Sequence, residues 1–243
     1  MAINPSSPSP NPLPSKGEKT LELLREGKIV SCILMPTGSN YTFMIRIEDS
    51  SVGDLRAIYK PRDGEAPLWD FQSGTLYKRE YASYLLSRIL GWNFIPETVV
   101  REGPYGIGSV QRYVEQEKGS NYHTLRESYR EELRTIACFD IIANNADRKV
   151  VHCFKGTDGR IWGIDHGLTF NHVPKLRTAI WDFWGEPLPP NLQEPMENFL
   201  KDLRAPDDRL KELASLLQPA ELEALGQRVK WLVDMKGFPP LRR

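Results

Sequence analysis

The chain has 243 residues, 40% of them apolar and 26% charged, enough to build one large domain or two small lobes. Lys+Arg and Asp+Glu each number 32, and zero formal net charge excludes an overall basic field that would draw the chain to nucleic acid or an anionic membrane. No run is long and apolar enough for a transmembrane segment, Met1–Pro5 lacks the basic-then-apolar pattern of a signal peptide, and Cys32, Cys138 and Cys153 show no paired spacing, so the expectation is a cytoplasmic protein with reduced thiols.

Residues 1–17 are rich in Ser, Pro and Asn and predict a disordered tail. A short helix over 18–26 ends at Gly27, and strands follow over 28–35, 41–47 and 55–60. The turn between the first two strands is Pro36-Thr37-Gly38-Ser39-Asn40. Residues 62–74 read as a loop with Trp69 and Phe71. Leu76, Tyr77, Tyr81, Tyr84, Leu85 and Ile89 share one face of a helix over 75–90, stopped by Gly91. Two more strands lie over 97–101 and 108–114. The pattern then predicts one long helix over 124–143 whose apolar end is driven into a core. A hairpin follows over 151–155 and 160–164, and Leu210 to Leu225 suggests a helical pair within 191–236. The expected fold is α+β: an antiparallel-sheet lobe with one helix over 18–114, and a mostly helical lobe over 115–243. The chain crosses between them near Gln111-Arg112-Tyr113-Val114, and ligand clefts favour such seams.

Several residues have the right chemistry for a phosphate site. Lys60 ends a strand and can neutralise phosphate oxygens, although an edge-strand lysine is the more ordinary use of the residue taken alone. Glu80 can pair with it from the helix, or simply face solvent among Lys78, Arg79 and Arg88. Gly38, Ser39 and Asn40 can cover phosphates or be only a hairpin turn. Asp147 follows the long helix beside Arg148 and Lys149, which keep it ionised and able to accept a hydroxyl proton. His152 heads the hairpin as a metal ligand or a structural histidine. Asp165 ends an apolar strand before His166-Gly167, placed to hold Mg²⁺ on a phosphate.

In this order, Asn145-x-Asp147-Arg148 and Ile164-Asp165-His166-Gly167-Leu168 resemble the phosphatidylinositol 3-/4-kinase-like branch of the protein-kinase-like fold, type II phosphatidylinositol 4-kinases above all. With Lys175-Leu176-Arg177-Thr178 and Trp181-Asp182-Phe183, they also resemble a family of small bacterial proteins described as lipid-kinase-like. The resemblance implies a two-lobed fold, ATP, and Mg²⁺ or Mn²⁺. It implies Lys60 on the phosphates with Glu80 as its partner, and Gly38, Ser39 and Asn40 over the phosphates. It places Gln111, Arg112, Tyr113 and Val114 at the adenine hinge, Asp147 as catalytic aspartate, and Asp165 and His152 at the metal. The acceptor it leaves open: a protein, a lipid head group or a small molecule. His172, Lys175, Arg177, Trp181, Phe183 and Trp184 offer a cation–aromatic mix for an anionic head group or peptide, or are core aromatics under a basic loop.

His152 departs from the family pattern, where asparagine supplies a hard oxygen. Imidazole suits Mn²⁺ better than Mg²⁺. The expectations are therefore a kinase-like phosphotransferase, a nucleotide-binding pseudokinase without turnover, or nucleotidyl transfer on the same fold.

Overall fold

The computed structural model describes residues 16–36, 38–49 and 53–240. Residues 1–15 of the expected tail lie outside these, as does Thr37, and the last two tail positions already belong to helix α1 (Lys16–Glu26). Strands β1 (Ile29–Leu34), β2 (Phe43–Ile47), β3 (Leu55–Pro61), β4 (Thr98–Gly103) and β5 (Gly106–Arg112) form one antiparallel sheet in the order β1-β2-β3-β5-β4.

Alternation along the strands sorts the two faces of the sheet. Phe43, Ile45 and Ile47 of β2 lie beside Tyr59, Ala57 and Leu55 of β3, and pack with Val99, Val110 and Leu24 of α1. The fully buried Ile45, Ile47, Val110 and Leu24 each contribute roughly 1.5–3 kcal/mol. The alternate residues of β3, Ile58 and Lys60, line a cleft on the opposite face. Because the β4–β5 hairpin inserts β5 beside β3, the lysine strand is central and not an edge. β5 also ends at Arg112, so Tyr113 and Val114 lie just beyond it.

Helix α2 (Leu76–Ile89) packs into the helical half. Tyr81, Ala82, Leu85 and Leu86 share one core with Leu133, Ile136 and Phe139 of α4 (Arg130–Ile142) and with Val229 and Leu232 of α7 (Pro219–Met235). Its polar residues are buried too. Arg79 pairs with Glu221 of α7 and donates to Thr169 O at 2.6 Å. Glu80 is 4% exposed, which removes the solvent-facing reading.

The expected helix over 124–143 is two helices. Asn121 and Thr124 close a reciprocal cap on the short α3 (Tyr122–Leu125), and the polar turn Arg126-Glu127-Ser128 precedes α4. The apolar end of α4 does enter the core, where Ile136 through Ile142 are buried. β6 (Cys153–Lys155) and β7 (Ile161–Gly163) make the hairpin. The final stretch is three helices: α5 (Pro190–Asp202), α6 (Asp208–Leu216) and α7. Proline opens α5 and α7, and Asp207 accepts from Leu210 N–H at 2.9 Å to cap α6, so the leucine pattern spans a break. Among the described residues no helix is long and apolar enough to cross a membrane.

Candidate active site

A cleft of about 590 Å³ separates the Lys60 face of the sheet from the loops after α4 and β7, and the residues expected at the phosphates, the hinge, the metal and the catalytic aspartate all line it, whereas the cation–aromatic segment from His172 to Trp184 does not. A hollow of about 530 Å³, lined by Leu34, Phe43 and Tyr105 among others, holds one carboxylate, Asp63, and no cation or histidine among the described residues. The chemistry therefore gathers in the first.

Lys60 is the centre of the cleft. Its Nζ donates to Glu80 Oε1 and, at 2.8 Å, to Asp165 Oδ1. Glu80 Oε2 accepts from the His166 backbone N–H at 2.9 Å, so one carboxylate ties the strand lysine to the loop after β7. Burial works against the Lys60 charge, but Asp165 and Glu80 outweigh it and raise its pKa. The Lys60 charge in turn holds the Asp165 carboxyl well below the usual carboxylate range, against burial and with help from His152. Asp165 has φ 61°, a left-handed conformation that aspartate tolerates better than most residues. Two residues earlier, a Cβ on Gly163 would come within 2.8 Å of the Phe94 ring, so only glycine fits there.

Asp147 is set by the end of α4. Asn144 turns the chain at φ 52°, and Asn145 Oδ1 accepts from Asp147 N–H at 3.0 Å. Lys149 Nζ lies 2.8 Å from Asp147 Oδ2. Arg148, expected to keep Asp147 ionised, is buried and turned elsewhere. It donates to Asp140 at 2.9 Å and to Ile164 O at 3.0 Å, and meets His166 Nε2 at 2.7 Å, joining the Asp147 and Asp165 loops. His152 is 7% exposed, with Nε2 3.3 Å from Asp165 Oδ2 and Nδ1 accepting from Lys149 N–H at 3.4 Å. Burial lowers its pKa, partly offset by Asp165, so the ring is neutral at neutral pH.

At the seam, Gln111 donates to Thr98 Oγ1 at 2.9 Å and Arg112 pairs with Glu97. The Tyr113 ring lies under Arg56, and Val114 packs with Phe154 and Trp162. In the β1–β2 turn Gly38 has φ 97°, and Asn40 Oδ1 accepts from Ala66 N–H at 2.7 Å, which commits that oxygen to the protein. The cation–aromatic segment after Asp165 does not form one surface: Phe183 is in the main core, while Lys175 stacks on Trp69 and pairs with Asp70 at 2.9 Å.

Two cleft residues carried no motif. Lys149 was visible only as a neighbour of Asp147. Glu65, in the loop after β3, gave no signal, yet its Oε2 is buried without a partner. Among the described residues no three His, Cys, Asp or Glu side chains converge on a preformed metal site. A divalent cation here needs oxygens from a ligand, which fits a metal ion that arrives on nucleotide phosphates, with Asp165 and the orphaned Glu65 oxygen as hard donors.

No family model matches the chain. It is 33% identical over 254 aligned residues to Protein Rv2133c of Mycobacterium tuberculosis (strain ATCC 25618 / H37Rv), covering 89% of this chain and 90% of that protein. Among solved structures it is similar to the Golgi casein kinase, with 17% identity, TM-score 0.54, and 89% of this chain and 74% of that chain covered. One such structure has Mn/ADP bound. It is also similar to hydra Fam20 with sugar, at 15% identity and TM-score 0.53 over 91% of this chain and 89% of that one. At these identities the likeness establishes the fold, which is protein-kinase-like. The chain belongs to the family of Protein Rv2133c.

Proposed function

We propose that the cleft binds ATP with a divalent cation and passes the γ-phosphoryl group to an acceptor hydroxyl. The observation that carries this is Lys60 Nζ held between Glu80 of α2 and Asp165 of the β7 loop. That arrangement fixes one cation where phosphate oxygens are to be neutralised, beside a carboxylate kept ionised for a metal ion. A bound metal ion would supply charge neutralisation on the phosphates, and Asp165 would hold it. Lys60 binds phosphate oxygens, and Glu80 orients Lys60. Gly38 and Ser39 cover the phosphates, and the backbone around Gln111–Val114 meets the base. Asp147, with Lys149 beside it, orients the acceptor hydroxyl and takes its proton. The Golgi casein kinase, a fold neighbour, has been seen with Mn/ADP, which supports the same ligands here.

On this reading the enzyme is phosphatidylinositol 3-/4-kinase-like, supported by the Asp147-Arg148 and Ile164-Asp165-x-Gly167 strings and their order after Lys60 and Glu80. The acceptor is a protein, a lipid head group or a small molecule. A second reading, nucleotide binding without turnover, is favoured by His152 in place of a hard oxygen ligand.

ATP consumption with Mn²⁺ or Mg²⁺ separates the two. Asp165→Ala is expected to abolish metal-dependent nucleotide binding. Asp147→Asn is expected to keep binding while turnover falls roughly 10²–10⁴-fold. Binding without turnover in the unaltered protein would leave only the second reading, and no metal-dependent binding would remove both.

A further inference from the structure

We propose that Glu65 is a further cation-contacting residue of this cleft: its Oε2 meets the divalent cation that accompanies the nucleotide, in the role His152 leaves unfilled. This rests on the phosphotransferase reading.

Glu65 is held rigidly. Gly64 O accepts from Tyr41 N–H at 2.9 Å, and Ala66 N–H donates to Asn40 Oδ1 at 2.7 Å, so the residue is pinned beside the β1–β2 turn that covers the cleft. Its Oε1 accepts from Tyr77 N–H at 2.9 Å, in the first turn of α2. Thr75, the residue before that helix, makes no side-chain cap, so Glu65 serves as one. Capping explains one oxygen only. The other, Oε2, is buried and has no hydrogen-bond partner, and the residue lines the cleft. Burial raises the Glu65 pKa, against the backbone N–H groups of Tyr77, Leu76, Gly74 and Thr75 that lower it. An enclosed carboxylate oxygen without a donor is unfavourable, and a proton or a cation relieves it where an anionic phosphate oxygen cannot.

The location suits a cation on a phosphate chain. Tyr77 and Glu80 are three residues apart on α2, a rise of about 4.5 Å, so Glu65 stands about one turn from the Glu80–Lys60 pair. His152 is poorly set for the same task. Its Nδ1 takes the Lys149 N–H, which leaves the ring proton of the neutral form on Nε2, facing Asp165 Oδ2 at 3.3 Å. Nε2 then donates to Asp165, and offers no lone pair to a metal ion. His152 orients the metal-holding carboxylate, and Glu65 brings the second hard oxygen.

Glu65→Gln separates the helix cap from the charge, because the amide oxygen still accepts from Tyr77 N–H. The measurement is Mn²⁺ titration of the full chain with ADP, read by the electron paramagnetic resonance of free Mn²⁺, alongside metal-free melting. E65Q is expected to melt like the unaltered protein and to bind Mn²⁺ with ADP at least about tenfold more weakly. Unchanged Mn²⁺ affinity would make Glu65 a helix cap alone and overturn the proposal, while loss of binding in Asp165→Ala would still uphold the phosphotransferase reading. No ADP-dependent Mn²⁺ binding by the unaltered chain would overturn both. Should E65Q melt lower, Glu65→Asp, which keeps the charge, must bind Mn²⁺ more tightly than E65Q, and equal affinities overturn the proposal.

Discussion

His152 and His166 are both buried neutral imidazoles, and they do different things. His152 faces Asp165, the carboxylate proposed to hold the metal ion, across 3.3 Å. Replacing it by asparagine offers both an N–H for Asp165 and a hard oxygen. His152→Asn is expected to raise the ratio of Mg²⁺-supported to Mn²⁺-supported turnover, and an unchanged ratio would remove His152 from metal choice. His166 is fully enclosed, with Nε2 accepting from Arg148 at 2.7 Å and Nδ1 without a partner against the Phe139 and Phe94 rings. Burial, then the Arg148 charge, pushes its pKa well below the ordinary 6.5. The unfolded chain therefore binds more protons below that pH, and stability falls as pH drops from about 6.5 toward 5. In His166→Asn, whose carbonyl still accepts from Arg148, melting temperature should fall less over that range than in the unaltered protein. Equal pH dependence would contradict the assignment. At this scale the sequence was informative where a polar residue interrupts an apolar run, as at Asp147 and Asp165. It was silent at Glu65, whose burial is made by partners from Asn40 to Tyr77 that no local pattern connects.

Helix α2 was legible from its own apolar face, but not what that face meets. It packs on β4 and β5 and, far along the chain, on α6, and its charged residues are spent inside: Glu80 on Lys60 and the His166 N–H, Arg79 on Glu221 and Thr169. The same helix that orients Lys60 is thus anchored to the C-terminal helices. Arg79→Met would strand the buried Glu221 charge and should cost about 3–5 kcal/mol in urea unfolding. Adding Glu221→Gln, which removes the charge and keeps the acceptor for Gln218 N–H, should return part of that loss. No recovery would mean that the methionine misfit, not the stranded charge, is the cause. The helix boundaries missed near 126–129 and 203–207 have a common origin. Apolar spacing carries across short polar or proline-marked turns, and only cap bonds such as that of Asp207 reveal the stop.

For the whole molecule, the order of strands, helix, strands and helices was readable as α+β, while strand neighbours were not. That β5 lies beside β3, making Lys60 central, follows from long-range register that the local pattern leaves open. The consequence is functional: a central strand, a buried helix and two loops joined by Arg148 hold Lys60, Glu80, Asp147 and Asp165 around one cleft. The central claim is phosphoryl transfer, and the products of ATP test it most directly. With Mn²⁺ present, the protein should convert ATP to ADP and either free phosphate or a phosphorylated acceptor, and Asp147→Asn should suppress this while still binding nucleotide. Release of pyrophosphate with AMP attached to an acceptor, or no consumption of ATP under conditions where nucleotide binds, would contradict it.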